Sequence, residues 1–174
     1  MWMKMIGCGL VIISSGALGI WKAEQWKEHR RTLERLRKMI VLLKGEILYA
    51  HAPLGEALSQ VARKSEESVL KQIFTGVAER IGKQEGVRFF DIWKQEIDEC
   101  GKALLLSEKE KREMKEFGEH LGYLDLEMQE RTIALYLEQL DMAVAFYREH
   151  EREQTKLCTS LGVMGGLFLA IVMW

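Results

Sequence analysis

The chain has 174 residues, 48% of them hydrophobic and 29% charged, with a net charge of -1, one proline and three cysteines. That length suits one domain with a closed core, and the balanced charge argues against a nucleic-acid binder that is basic as a whole. Abundant Leu, Glu, Lys, Ala and Met without sustained period-two alternation argue against a sheet, and three cysteines, Cys8 and Cys158 in the apolar ends and Cys100 alone, with no CxxC pair, say little about disulfides and fit a reduced compartment best.

The chain opens on an apolar stretch, Met5 to Trp21, punctuated by Gly7, Gly9, Gly16 and Gly19. Lys4 is the only basic residue before it, whereas Lys22, Lys27, Arg30, Arg31 and Arg35 follow at once. A basic flank of that kind resists export, so residues 1–21 read as a retained transmembrane helix and not as a cleaved signal. The small-residue step Ser15 to Gly19 would let a neighbouring span approach closely.

A helix is then expected from Lys22 to about Ala50. Its apolar residues Leu33, Leu36, Ile40, Leu43, Ile47 and Ala50 recur at three and four, the spacing of one packed face. Lys27, Arg31, Arg35 and Lys38 fall at four, four and three and share another face. That basic face has three readings: contact with anionic lipid heads, contact with an acidic protein partner, or a topology signal alone.

Pro53 disfavours helix in Ala52, so the first helix should end near His51 and a second should run from Pro53 to about Lys64. A third is expected from Glu66 to about Ile81, stopped by Gly82, with Val69, Leu70, Ile73, Phe74 and Val77 buried. A fourth, Val87 to about Glu99, buries Phe89, Phe90, Trp93 and Ile97. Ser107 with Glu110 forms a capping-box pattern for a fifth, Glu108 to Leu121, closed by Gly122.

Asp125 caps a sixth helix that carries Ile133, Leu137, Leu140, Val144 and Tyr147 on one face and has no Pro or Gly before Lys156. From Leu157 to Trp174 no residue is charged, a run of roughly 27 Å at 1.5 Å per residue, just enough for a hydrocarbon core of about 30 Å. Arg148, Arg152 and Lys156 precede this second span and nothing basic follows it, so both flanks place residues 22–156 in the cytoplasm. Gly162 and Gly166 make a second small-residue step. The fold expected is all-α: a six-helix cytoplasmic bundle, 22–156, whose first and last helices run antiparallel and continue into transmembrane helices at 1–21 and 157–174.

Signals for chemistry are absent from the sequence. There is no GxxxxGK[ST] phosphate loop. The residues three before His29, His51, His120 and His150 are Trp26, Leu48, Phe117 and Tyr147, so the Glu-x-x-His spacing of a di-iron bundle fails at each. No nucleophile elbow occurs. No catalytic residue, metal or cofactor is expected, and nucleic acid is not an expected partner.

Two segments go beyond generic helix. Glu46-Ile47-Leu48-Tyr49-Ala50-His51-Ala52-Pro53-Leu54-Gly55-Glu56-Ala57-Leu58 resembles the "EIxYxxxPLxEAL" segment of the stage III sporulation protein AB family. Phe117-Gly118-Glu119-His120-Leu121-Gly122-Tyr123-Leu124-Asp125-Leu126-Glu127-Met128-Gln129 resembles its "FGxxLGxxDxxxQ" segment, and Ser160-Leu161-Gly162-Val163 with the apolar end fits as well. Ala52 stands where that family commonly has Thr or Ser, which removes a hydroxyl cap worth about 1 kcal/mol.

The resemblance implies a protein of endospore-forming bacteria in the outer forespore membrane, within a channel or secretion-like complex, and similar to the cytoplasmic domains of type II secretion platform proteins. It implies as partners a cytoplasmic ATPase, stage III sporulation protein AA, and other membrane proteins of the complex. Membrane lipid and further copies of the chain are also candidate partners. Among the matched residues, Pro53, Gly118, Gly122 and Asp125 read as helix starts and stops, and Leu54, Ala57 and Leu121 as core. Glu46, Tyr49 and Gln129 are the candidates for contact, since a helix could form without them, although buried polar pairing would explain them equally well. The function implied is a non-enzymatic platform; a passive anchor and a small membrane enzyme are the rivals.

Overall fold

The computed structural model describes residues 2–83, 86–122 and 125–173, with most side chains between 21 and 151. Six helices follow in order: α1 (Trp2–Leu48), α2 (Leu54–Lys64), α3 (Val69–Lys83), α4 (Phe89–Cys100), α5 (Glu108–Leu121) and α6 (Leu126–Met173). Among the described residues there is no strand. The chain forms two compact units, one of Thr32–Ala143 and one of Met1–Arg31 with Val144–Trp174.

In the unit 32–143, α2 packs on α3, α3 on α4 and α4 on α5. The ends of that series are closed by α1 and α6. Arg37 pairs with Asp141 and Lys44 with Glu130, so numbers rise along one helix as they fall along the other and the two run antiparallel. The expected α1 stripe is buried, with Leu33, Leu36, Ile40 and Leu43 fully enclosed. Burying each such side chain contributes roughly 1.5–3 kcal/mol against solvent exposure. On α6 the buried face is Ile133, Tyr136 and Leu140, with Leu137 only half-buried. Tyr136 takes the inward position because its ring stacks on Phe117 at 4.5 Å.

A chain of aromatic contacts crosses this core from α3 to α6. Phe74 meets Trp93 edge-on at 5.5 Å, Trp93 meets Phe117 at 6.3 Å, and Phe117 stacks on Tyr136. Trp93 is fully buried, and its indole Nε1 donates to the Met114 carbonyl at 2.8 Å. It reaches the α5 backbone because Gly118 has no side chain: a Cβ there would fall within the Trp93 ring. Gly76 has a similar use on α3, where a Cβ would lie 2.5 Å from the Glu96 carboxylate. Glu96, buried on α4, pairs with Arg80 at 2.7 Å, and Arg80 also holds Glu99 at 2.8 Å.

Local chemistry sets the helix ends, in places differently from expectation. α1 stops at Leu48, leaving Ala50 exposed, and His51 takes the left-handed φ of 50° that lets the Ala52 amide donate back to the Glu46 carbonyl. Histidine is one of the few residues that tolerates that region. Pro53 is itself the N-cap of α2, without a side-chain cap, so Ala52 lies one residue outside the capping position assigned to it.

α3 starts at Val69 and not Glu66, because the Ser68 hydroxyl accepts from the Lys71 amide at 3.2 Å. Gly82 does not stop it; α3 runs through Gly82 to Lys83, and the left-handed glycine is Gly86 at φ 85°. α5 begins on the expected capping box, with both the Ser107 and Glu110 hydrogen bonds made. Gly122 ends α5 in the right-handed region, φ -79°, so its conformation does not demand glycine.

In the other unit, α1 and α6 meet through side chains. The Tyr147 ring lies 4.9 Å from Trp26 and 4.4 Å from His29, and Arg30 pairs with Glu151 at 2.8 Å. The backbone of the apolar ends is helical. The side-chain surroundings of the proposed packing steps, Ser15 with Gly19 and Gly162 with Gly166, lie outside the described residues. Among the described residues no helix is long and apolar enough to cross a membrane.

Two measurements follow. Gly118→Ala forces a methyl into the Trp93 ring, so thermal or urea unfolding should show a loss of about 1–3 kcal/mol, whereas Gly45→Ala, which meets nothing within 4 Å, should gain up to about 1 kcal/mol. Equal effects at the two glycines would refute the close approach of Trp93. Burial lifts the Glu96 carboxyl above its ordinary 4.5, with Arg80 partly offsetting this. A carboxyl raised in the folded state stabilises fully below its unfolded pKa and loses that contribution as pH rises through the folded value. Wild-type stability should therefore fall relative to Glu96→Gln as pH climbs from about 4 to 7. Parallel stability profiles of the two proteins would contradict this.

Candidate functional site

Both motif segments lie at one end of the unit 32–143. Lys44 at 3.7 Å from Glu130 sets the end of α1 beside the start of α6. At the same end Ile81 covers Gly55 at the start of α2, where a Cβ would be 3.3 Å from its Cγ2. Phe89, opening α4, packs over Gly122, where a Cβ would meet its Cδ1 at 3.0 Å.

Most of the motif is committed to holding these corners. Asp125 accepts from the Met128 amide at 2.9 Å and caps α6. Gln129 Nε2 donates to the Leu121 carbonyl at 3.1 Å, satisfying an acceptor that the end of α5 leaves open and tying α5 to α6. Leu121 is fully buried and Leu54 half-buried. Gly118 seats Trp93 and Gly122 seats Phe89. Glu46, half-buried on α1, receives Lys64 Nζ at 2.5 Å from the last turn of α2, tying the far end of α2 to α1.

Tyr49 is the exception. It is 83% exposed, one residue past the last turn of α1, with the exposed His51 and Pro53 beside it. Among the described residues no side-chain hydrogen bond, ion pair or ring contact holds it, which separates Tyr49 from the other contact candidates, Glu46 and Gln129.

The basic face divides between the two units. In the unit that includes 1–31, Lys27 and Arg31 both reach Glu24 at 3.5 Å, and Arg31 reaches Glu28 at 3.2 Å. In the unit 32–143, Arg35 and Lys38 line a recess with Met39, Ser65, Glu66 and Ser68. Carboxylates accompany the cations at both places, so the charge is locally offset.

A further concavity is a cleft of about 420 Å³ between α2 and α3, lined by Ser59, Ala62, Arg63, Lys71, Thr75, Ala78 and Glu79. It brings together no nucleophile–base pair of the kind catalysis needs. Among the described residues no three His, Cys, Asp or Glu side chains stand close enough to hold a metal ion. Burial, with Glu96 and Glu99 nearby, pushes the Cys100 thiol up, away from the reactive thiolate. Sequence reasoning missed the Gly76–Glu96–Arg80 cluster and the Trp93 seat on Gly118. A glycine in mid-helix facing a large or charged residue's helix was the available signal, but it does not say which residue comes near.

Comparison with known proteins agrees with the motifs. The family model for stage III sporulation protein AB matches residues 4–174. Stage III sporulation protein AB of Bacillus subtilis (strain 168) is 27% identical over 171 residues, covering 98% of this chain and 99% of that protein. A solved structure of stage III sporulation protein AB superposes with a TM-score of 0.66 at 27% identity, covering 72% of this chain and 98% of that one. With the motif corners, the six helices and the near-complete match in agreement, the chain belongs to the stage III sporulation protein AB family.

Proposed function

We propose that this protein is a non-enzymatic membrane platform that docks a cytoplasmic ATPase of the stage III sporulation protein AA type. In this reading the ATPase changes conformation, and the α1–α6 pair passes the movement to two membrane-crossing segments, 1–21 and 157–174. The middle of the chain lies on the mother-cell side of the outer forespore membrane, within a channel or secretion-like complex. The observation that carries docking is Tyr49, an aromatic ring of the family-like motif left 83% exposed while its motif neighbours are spent on corners. Exposed aromatics of this kind supply much of the energy where protein surfaces meet. The membrane assignment is supported by the charge-free run Leu157 to Trp174 and by basic residues on the inner flank of both apolar ends.

The full-length chain in membranes should co-purify with a stage III sporulation protein AA ATPase. Tyr49→Ala should weaken that association by about tenfold or more without shifting thermal unfolding. Absence of association by co-purification and light scattering would sink docking and leave the passive anchor and assembly scaffold as the function. Topology is checked separately: cysteines placed at residues 2 and 174 should label from the side opposite a cysteine at Glu119, and labelling of all three from one side would overturn the two-span arrangement.

A further inference from the structure

We propose that the outer face of α6 between Met128 and Met142 is a seam on which a second copy of this chain packs, α6 alongside α6 and parallel to it. Met128, Leu135 and Met142 are 47%, 62% and 61% exposed, although each is a large apolar side chain. They stand seven residues apart, on the side of the helix away from the buried Ile133, Tyr136 and Leu140. Isolated exposed apolar residues need no explanation, but three in strict seven-residue register make a line that a helix presents to another helix coiled along it.

The positions between them identify the occupant as a second copy. With Met128, Leu135 and Met142 at the d positions of a heptad, Thr132 and Gln139 fall at a. A polar residue at a is costly against an apolar partner and useful against itself. In a parallel two-fold pair Gln139 meets Gln139 of the second copy, and each amide supplies a donor and an acceptor to the other. Methionine–methionine, leucine–leucine and glutamine–glutamine layers then stack in register. The charged residues at the edge of the line are Arg131 and Glu138, one of each sign. A two-fold axis along the seam puts each on the opposite edge from its own copy, so no like charges are forced together.

Parallel orientation rests on the platform reading above, because two copies rooted in one membrane by the C-terminal run present α6 in the same direction. A paired platform would offer two Tyr49 surfaces to one ATPase assembly, which raises effective concentration without any new contact.

The experiment uses the full chain in lipid vesicles, with Cys8, Cys100 and Cys158 replaced by serine and single cysteines introduced by Met128→Cys, Leu135→Cys, Met142→Cys or Glu119→Cys. Under mild oxidation the first three should form cross-linked dimers and the last, on α5, should not. Adding Leu135→Glu to the Met128→Cys chain places a carboxylate in the apolar seam and should lower its cross-linking by about tenfold or more. Cross-linking at Leu135→Cys no higher than at Glu119→Cys overturns the proposal, as does a Met128→Cys yield unmoved by Leu135→Glu. Cross-linking between Met128→Cys and Met142→Cys in a mixture, where neither cross-links alone, shows an antiparallel pair and overturns it too. If the parallel cross-links form while the ATPase fails to co-purify, the seam stands and ATPase docking falls.

Discussion

The packing of the unit 32–143 depends on the contact between Trp93 and the backbone of α5. A tryptophan is the largest side chain a core can hold, and here it is fully buried with its one polar atom bonded to the Met114 carbonyl. Both conditions require a place on α5 without a side chain, which Gly118 supplies. From that seat the ring touches Phe74 on α3 and Phe117 on α5, and Phe117 carries the contact on to Tyr136 of α6. Four of the six helices are thereby set in position by one ring and one missing methyl. A core of interchangeable leucines would bury similar area yet specify a single arrangement less sharply.

How much of this was legible beforehand varied with the range of the interaction concerned. Helix existence and number came from apolar spacing, and the α5 start came from Ser107 and Glu110, a signal complete within four residues. Errors arose where a distant or non-standard partner decided the outcome. α1 ended early because His51 takes up the left-handed conformation, and α3 runs through Gly82 to Lys83 while the left-handed glycine is Gly86. Tyr136 was overlooked because its inward placement depends on Phe117, nineteen positions away in the chain (136 − 117).

The motif behaved in the same way. Gly118, Gly122, Asp125 and Gln129 look like a recognition signature in one dimension, and in three they are the parts of a corner joining α4, α5 and α6. Family-typical residues thus report first on how the helices are held and only second on what they touch. Tyr49 stands apart because its exposure leaves it without a structural task. Sequence alone could not make that separation, since Glu46 and Tyr49 sit three residues apart on the same helix end and differ only in whether Lys64 comes near.

The pairing of α1 with α6 also governs when the domain can form. Contacts among α2, α3, α4 and α5 join neighbours in the chain, but Arg37 finds Asp141 across 104 positions. Closing so long a loop is entropically costly, and that cost comes before the contacts that offset it. On a ribosome, the face of α1 that pairs with α6 has no partner until α6 has been made. Arg37 and Lys44 therefore wait through most of synthesis for the carboxylates that close the pair. The first helix is made early and finished last.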